Sequence, residues 1–172
     1  GLNLLAVDQR AHGQSDGRTV TFGIRERQDV PVWIRKALEL LGPETPILLS
    51  GVSMGSATVL MSIDQDLPAN VRAIIADCGY TSPKEIIINT AKGMGLPGKL
   101  LYPLARLSAR ILYGFDPDSC AALDTVRLSH PPVLIIHGDA DEFVPLHMGK
   151  RLYEAVKCIW PGSPGPAMRW LP

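Results

Sequence analysis

The stretch from Pro46 to Leu60 holds the serine best placed to act as a nucleophile. A short apolar run, Ile47-Leu48-Leu49, ends in Gly51-Val52-Ser53-Met54-Gly55, and small and apolar residues follow from Ser56 to Met61. A strand, a Gly-x-Ser-x-Gly turn and a helix in that order form a nucleophile elbow. A serine on such a turn stands clear of its own backbone. The flanking glycines permit both a strained turn and a close approach of helix to strand. The start of the helix offers unpaired N–H groups and a positive dipole end to a developing oxyanion. The bland reading of the same residues is a Gly-rich turn in any α/β protein.

The other groups able to do chemistry are carboxylates and histidines. Asp8, Asp77, Asp139 and Asp141 each follow or end an apolar run. Of the four histidines, His12 and His137 sit in strand-end loops and are expected to bond backbone rather than transfer protons. His130 leads into the connector Pro131-Pro132, and His147 opens the last helix. No pair of histidines has metal-ligand spacing. Cys78, Cys120 and Cys158 are widely spaced and odd in number. They read as free thiols of a reducing compartment, so a cytoplasmic location is expected, with no metal and no cofactor.

The elements that must position these groups follow from hydrophobic patterning. Leu2–Val7, Ile47–Leu49, Val71–Asp77 and Val133–Ile136 read as strands, nearly continuous in apolar residues as buried parallel strands are. Between the first two, Ile24, Val30, Trp33, Ile34, Ala37, Leu38 and Leu41 recur at helical spacing. Pro31 implies either a helix restarting after Asp29 as cap or a kink, and Gly42-Pro43 ends the helix. Residues 82–128 are helical in pattern but broken by glycines and prolines, which predicts several short helices. Met148–Val156 is a last helix. Residues 160–172, with four prolines, are expected to form an irregular tail. Strands alternating with helices predict an α/β fold, a mostly parallel sheet with helices on both faces. Ligands on such sheets bind beyond the carboxyl ends of the strands, where Asp8, Ser53, Asp77, Asp139 and Asp141 all fall.

Composition narrows the possibilities. A chain of 172 residues with 46% hydrophobic and 20% charged residues suits one globular domain with a sizeable core. Formal net charge is zero and no basic run stands out, so a nucleic-acid or membrane-surface role has no electrostatic support at this level. No apolar run is long enough to be a membrane segment. A dinucleotide fingerprint, Gly-x-Gly-x-x-Gly after a strand, is absent, which disfavours a Rossmann-type nucleotide binder.

Three linked motifs, Asp8-x-Arg10-x-His12-Gly13-x-Ser15, Gly51-Val52-Ser53-Met54-Gly55 and His137-Gly138-x-x-Asp141-x-x-Val144-Pro145, resemble the α/β-hydrolase superfamily in order and spacing. The nearest likeness is to bacterial serine-aminopeptidase-like or esterase-like hydrolases, and it runs from Leu2 to about Lys157. The resemblance implies Ser53 as nucleophile, the backbone N–H of Met54 as one oxyanion donor and Asp141 as the acid that orients a histidine. Asp139 and Asp77 are rivals for that acid. It further implies a core of residues 1–81 and 129–159, with a helical cap inserted at 82–128. The expected function is a serine hydrolase cleaving an ester or amide bond of a small molecule or peptide through an acyl-enzyme. The alternative is a non-catalytic or incomplete scaffold. The family's catalytic histidine follows an eighth strand, and its first three strands bring the second oxyanion donor. Neither feature is matched here, so the chain is expected to be a fragment truncated at both ends. In the family's sheet the third strand lies between those matching Leu2–Val7 and Ile47–Leu49, so a gap is expected there.

Overall fold

The computed structural model describes residues 1–128, 131–157 and the backbone of 168–171. The order of elements is α1 (Val30–Leu41), β1 (Ile47–Val52), α2 (Met54–Met61), β2 (Val71–Asp77), α3 (Pro83–Gly93), α4 (Gly98–Leu112), α5 (Ala122–Thr125), β3 (Val133–Gly138), α6 (Leu146–Lys157) and β4 (Met168–Leu171). The strands form one parallel sheet in the order β1-β2-β3-β4. This is the α/β architecture that the alternation of strands and helices predicts.

Packing follows the patterning. One face of β2 and β3 presents Ile74, Ala76, Val133 and Ile135, all buried. Helix α2 lies against β1 and β2, α6 lies against β3, and the short α5 touches both helices. Helix α2 has apolar and small residues all round, and Ser56 to Met61 are buried without a break. Thr58 Oγ1 donates to the Met54 carbonyl and, at the helix's C-cap, Ser62 Oγ donates to the Val59 carbonyl, whereas the buried Ser56 Oγ has no hydrogen-bond partner. The carboxylate of Glu26 is also buried. It accepts from the Thr21 N–H, the Thr21 hydroxyl and the Gly23 N–H, which offsets the cost of removing it from water.

Helix α1 settles the Pro31 question. The helix restarts at Val30 with Pro31 in its first turn, where a missing N–H costs nothing. Asp29 occupies the N-cap position but makes no side-chain cap bond. Its carboxylate is held instead by Arg10, through Nε at 2.7 Å and through Nη2. Gly42 ends the helix at φ +108°.

Two expectations are corrected. Leu2–Val7 is not a strand. It carries no regular structure, and Leu2 and Leu4 are 98% and 91% exposed. A strand needs a hydrogen-bonded neighbour. Among the described residues nothing pairs with the outer edge of β1, so the run, which does not reach that edge, has no ladder partner. With no strand on its far side, β1 is the edge of the sheet among the described residues, and the expected gap between two strands does not arise. The second correction concerns 160–172, where an irregular tail is expected. Met168–Leu171 forms β4 and pairs with Ile135–Gly138 of β3. The prolines dominate the composition of that window, yet Met-Arg-Trp-Leu contains none. All four of its residues carry an N–H able to join a ladder along the edge of β3.

Between β2 and β3 the chain makes α3, α4 and α5 rather than one long helix. Helices α3 and α4 pack on each other. Among the described residues no helix is long and apolar enough to cross a membrane.

Candidate active site

Three strand ends meet at one rim. The register pairs Val52 with Asp77 and Asp77 with Ile136, so Ser53, Cys78 and His137 follow at about the same level. Two backbone bonds tie the rim together: the Ser53 N–H donates to the Asp77 carbonyl at 2.8 Å, and the Cys78 N–H donates to the Ile136 carbonyl at 2.9 Å.

Ser53 stands between β1 and α2 with φ +52° and ψ −114°. Left-handed backbone at a non-glycine residue costs about 1–3 kcal/mol and persists only where the surroundings enforce it. Here the enforcement is visible. A Cβ placed on Gly51 would lie 2.3 Å from the carbonyl carbon and oxygen of Gly55 and 2.6 Å from the Ser56 nitrogen. Strand and helix backbones therefore touch at the turn, and only glycine fits. Met54 opens α2, so its N–H belongs to the first-turn donors without an intrahelical partner.

Asp141 lies three residues beyond β3. Its Oδ1 accepts from the Phe143 N–H at 3.0 Å and the Val144 N–H at 2.9 Å, which closes a tight loop around the carboxylate. The carbonyls of those same two residues are also held. His137 Nε2 donates to the Val144 carbonyl at 2.8 Å, and Asn89 Nδ2, from α3, donates to the Phe143 carbonyl at 3.0 Å. His137 is fully buried, and its Nδ1 faces the Cα of Gly149 on α6. The acid loop is thus pinned from the sheet by His137 and from α3 by Asn89. A second tie joins α3 to α6, where Glu85 accepts from both His147 Nε2 (3.2 Å) and Arg151 Nη1 (2.7 Å). Burial works to raise the Glu85 pKa, but the bonds from Thr81, His147 and Arg151 prevail and hold it below the usual value.

The sequence candidates separate here. Ser53, Asp77 and Asp141 all belong to the rim, whereas Asp139 is exposed. Asp8 is turned into its own loop, where Oδ2 accepts from the Gln14 N–H. The histidines behave as backbone partners: His12 Nδ1 is 3.0 Å from the Arg10 carbonyl, and His137 is committed to Val144. His147 is engaged by Glu85. His130 and Cys158 lie outside the described residues. Asn89 escaped the sequence reading, as did the place of Cys78 beside Asp141. Asn89 sits in a helical stretch that gave no sign of facing a strand-end loop. Cys78 was legible as a free thiol following a strand, but not as a neighbour of Asp141.

Cys78, His137 and Asp141 bring one potential ligand atom each to within 4.8 Å of one another. The donor set does not suit a metal. His137 Nε2 carries the proton it gives to Val144, Nδ1 is shut off by Gly149, and Asp141 Oδ1 is occupied by two N–H groups. Burial pushes the Cys78 thiol up to about 11, with Asp77 and Asp141 nearby adding to the rise. It is a neutral thiol beside the acid, not a thiolate.

Comparison with known proteins agrees with this geometry. A family profile described as alpha/beta hydrolase fold matches residues 1–102. The chain belongs to that family. It is 30% identical over 159 residues to the uncharacterized protein YqkD of Bacillus subtilis, covering 90% of this chain and 51% of that protein. It is 28% identical over 170 residues to human protein ABHD12B, covering 91% and 42%. The chain thus spans about half the length of the curated relatives it matches. Among solved structures it resembles the Pyrococcus furiosus esterase Pf2001 at TM-score 0.64 and 25% identity, covering 95% of this chain and 58% of that one. A Pyrococcus horikoshii acylaminoacyl peptidase shares the fold at TM-score 0.60 and 20% identity, over 87% and 23%.

Proposed function

We propose that the protein is a serine hydrolase that cleaves an ester or amide through an acyl-enzyme on Ser53. The observation that carries the reading is the strained conformation of Ser53 at the β1–α2 turn, enforced by the contact of Gly51 with Gly55. In this reading Ser53 Oγ attacks the substrate carbonyl carbon while a histidine takes its proton. The N–H of Met54 donates to the oxyanion. The histidine then protonates the leaving group, and water repeats the sequence to release the acid. Asp141 fixes the histidine's tautomer and stabilises its charged form. The base is assigned to a histidine of the whole protein, because the three described here are engaged elsewhere. The likeness to an esterase and a peptidase supports acyl transfer as the reaction class.

That engagement of the three histidines also favours the rival reading, a non-catalytic scaffold. Covalent labelling separates the two. A fluorophosphonate probe added to the whole protein should modify Ser53, and Ser53→Ala should abolish the modification. A folded protein that takes no label, or takes it elsewhere, would refute the assignment.

A further inference from the structure

Helix α4 is amphipathic in the wrong sense for a helix that serves only its own core. At 3.6 residues per turn, its buried residues Gly98, Tyr102 and Ala109 share one narrow face. Leu100, Leu104, Leu107 and Ile111 fall on the opposite face, within an arc of about 60°. They are 77%, 64%, 52% and 71% exposed. Leu112, at the helix's end on another face, and Met94 and Leu96, in the turn before it, are exposed as well. Four large aliphatic side chains in register, turned away from the domain, are more than the scattered exposed leucine that needs no explanation.

The charge on this helix has one sign. Lys99, Arg106 and Arg110 are its only charged residues, and all three lie along one flank of the apolar stripe. Arg106 is held by Asp116 and Asp118, while Lys99 and Arg110 stand exposed, Arg110 3.8 Å from Asp116. Beside the stripe is an open cleft of about 420 Å³. It is lined by Tyr102, Pro103 and Leu107, by Lys84, Arg106 and Arg110, and by Asp118, which pairs with Arg106 and leaves an excess of positive charge. An apolar face with a cationic flank is the pattern of a helix lying in the plane of a lipid interface. Asp116 and Asp118 offset part of the flank's charge, and Lys84, Lys99 and Arg110 leave it basic although the whole chain is neutral.

We propose that the α4 face docks on an anionic phospholipid surface, the stripe entering the acyl boundary and the basic flank meeting the headgroups. The charge argues against a second copy of the chain as occupant, since self-pairing through this face would bring two basic flanks together. The proposal does not depend on the chemistry assigned to Ser53.

The test is sedimentation of the whole protein with vesicles of phosphatidylcholine alone and of phosphatidylcholine with about 30% phosphatidylserine. Binding should be confined to the anionic vesicles and should fall at least tenfold between about 0.05 and 0.5 M salt. The pair Leu104→Ser with Ile111→Ser should weaken it at least tenfold, and so should Lys99→Glu with Arg110→Glu. All four positions are exposed, so unfolding temperatures should stay near wild type. As a second measurement, the Leu104→Trp variant should blue-shift its emission on anionic vesicles only. The proposal is overturned by a wild type that ignores anionic vesicles. Binding indifferent to both double variants overturns it too. So does an emission from the Leu104→Trp variant that is already blue-shifted without lipid, because another part of the protein, or a second copy, then covers the face.

Discussion

Adding one methyl group at Gly149 should unlock the acid loop. A Cβ there would lie 2.4 Å from His137 Nδ1, 2.9 Å from Cγ and 3.2 Å from Cε1. Unstrained contacts between such atoms need about 3.5 Å or more, so the ring must retreat by roughly 1 Å. It has no space to do so, being fully buried between α6 and the Val144 carbonyl. Overpacking of this kind costs about 1–3 kcal/mol. If the ring swings off Val144, a buried carbonyl loses its donor at a further 1–3 kcal/mol or so. The total, about 2–6 kcal/mol, corresponds to a fall in Tm of roughly 4–24 °C for a chain of this length. Thermal unfolding of the whole protein followed by circular dichroism measures it. The control is Gly93→Ala at the end of α3. A Cβ there meets nothing within 4 Å, and alanine should be neutral or stabilising by up to about 1 kcal/mol. Equal Tm values for the two variants would refute the claim that Gly149 exists to seat His137.

Asp141→Asn keeps an oxygen for the Phe143 and Val144 N–H groups but removes the charge, so Tm should barely change while kcat falls by about 10⁴. Asp139→Asn and Asp77→Asn should be milder in the same ester assay; if Asp77→Asn is the worst of the three, the acid is misassigned. Asn89→Ala removes the hold of α3 on the Phe143 carbonyl, a bond worth about 0.5–1.5 kcal/mol, and should lower kcat by roughly 2- to 13-fold with little change in KM. Asp116, whose pKa the Arg106 pair holds at about 2 against an ordinary 3.8, stabilises the C-terminal end of α4. Because the folded value is the lower one, that stabilisation is present above the ordinary value and is lost as pH falls towards 2. An acid titration of Tm should show the loss, and Asp116→Asn should remove that part of the pH dependence.

The legible parts of this fold are those whose determinants are local. β2 and the elbow strand announce themselves by apolar runs, α1 by periodicity and by Pro31, and the elbow by Gly51, Ser53 and Gly55. The acid loop was legible as a motif, yet its two pins were not. His137 bonds Val144 seven residues on, a distance short enough to suspect. Asn89 bonds Phe143 across 54 positions and leaves no local trace. Leu2–Val7 and Met168–Leu171 show the complementary limit. An apolar run becomes a strand only where it lies against another strand, and the first run does not lie against β1, whose outer edge stays unpaired among the described residues. The second, in a proline-rich context, finds β3. Residues 82–128 were legible as several short helices, but sequence cannot say which face of an amphipathic helix such as α4 meets its own core.

The central claim is an acyl-enzyme on Ser53. The most direct measurement is to quench the whole protein during turnover of a slowly deacylating p-nitrophenyl ester and map the added mass by peptide. The account predicts one acyl group per molecule on the peptide containing Ser53, absent in Ser53→Ala and persisting longer than in wild type when Asp141→Asn slows deacylation. Turnover with no covalent adduct, or an adduct on any other residue, would contradict it.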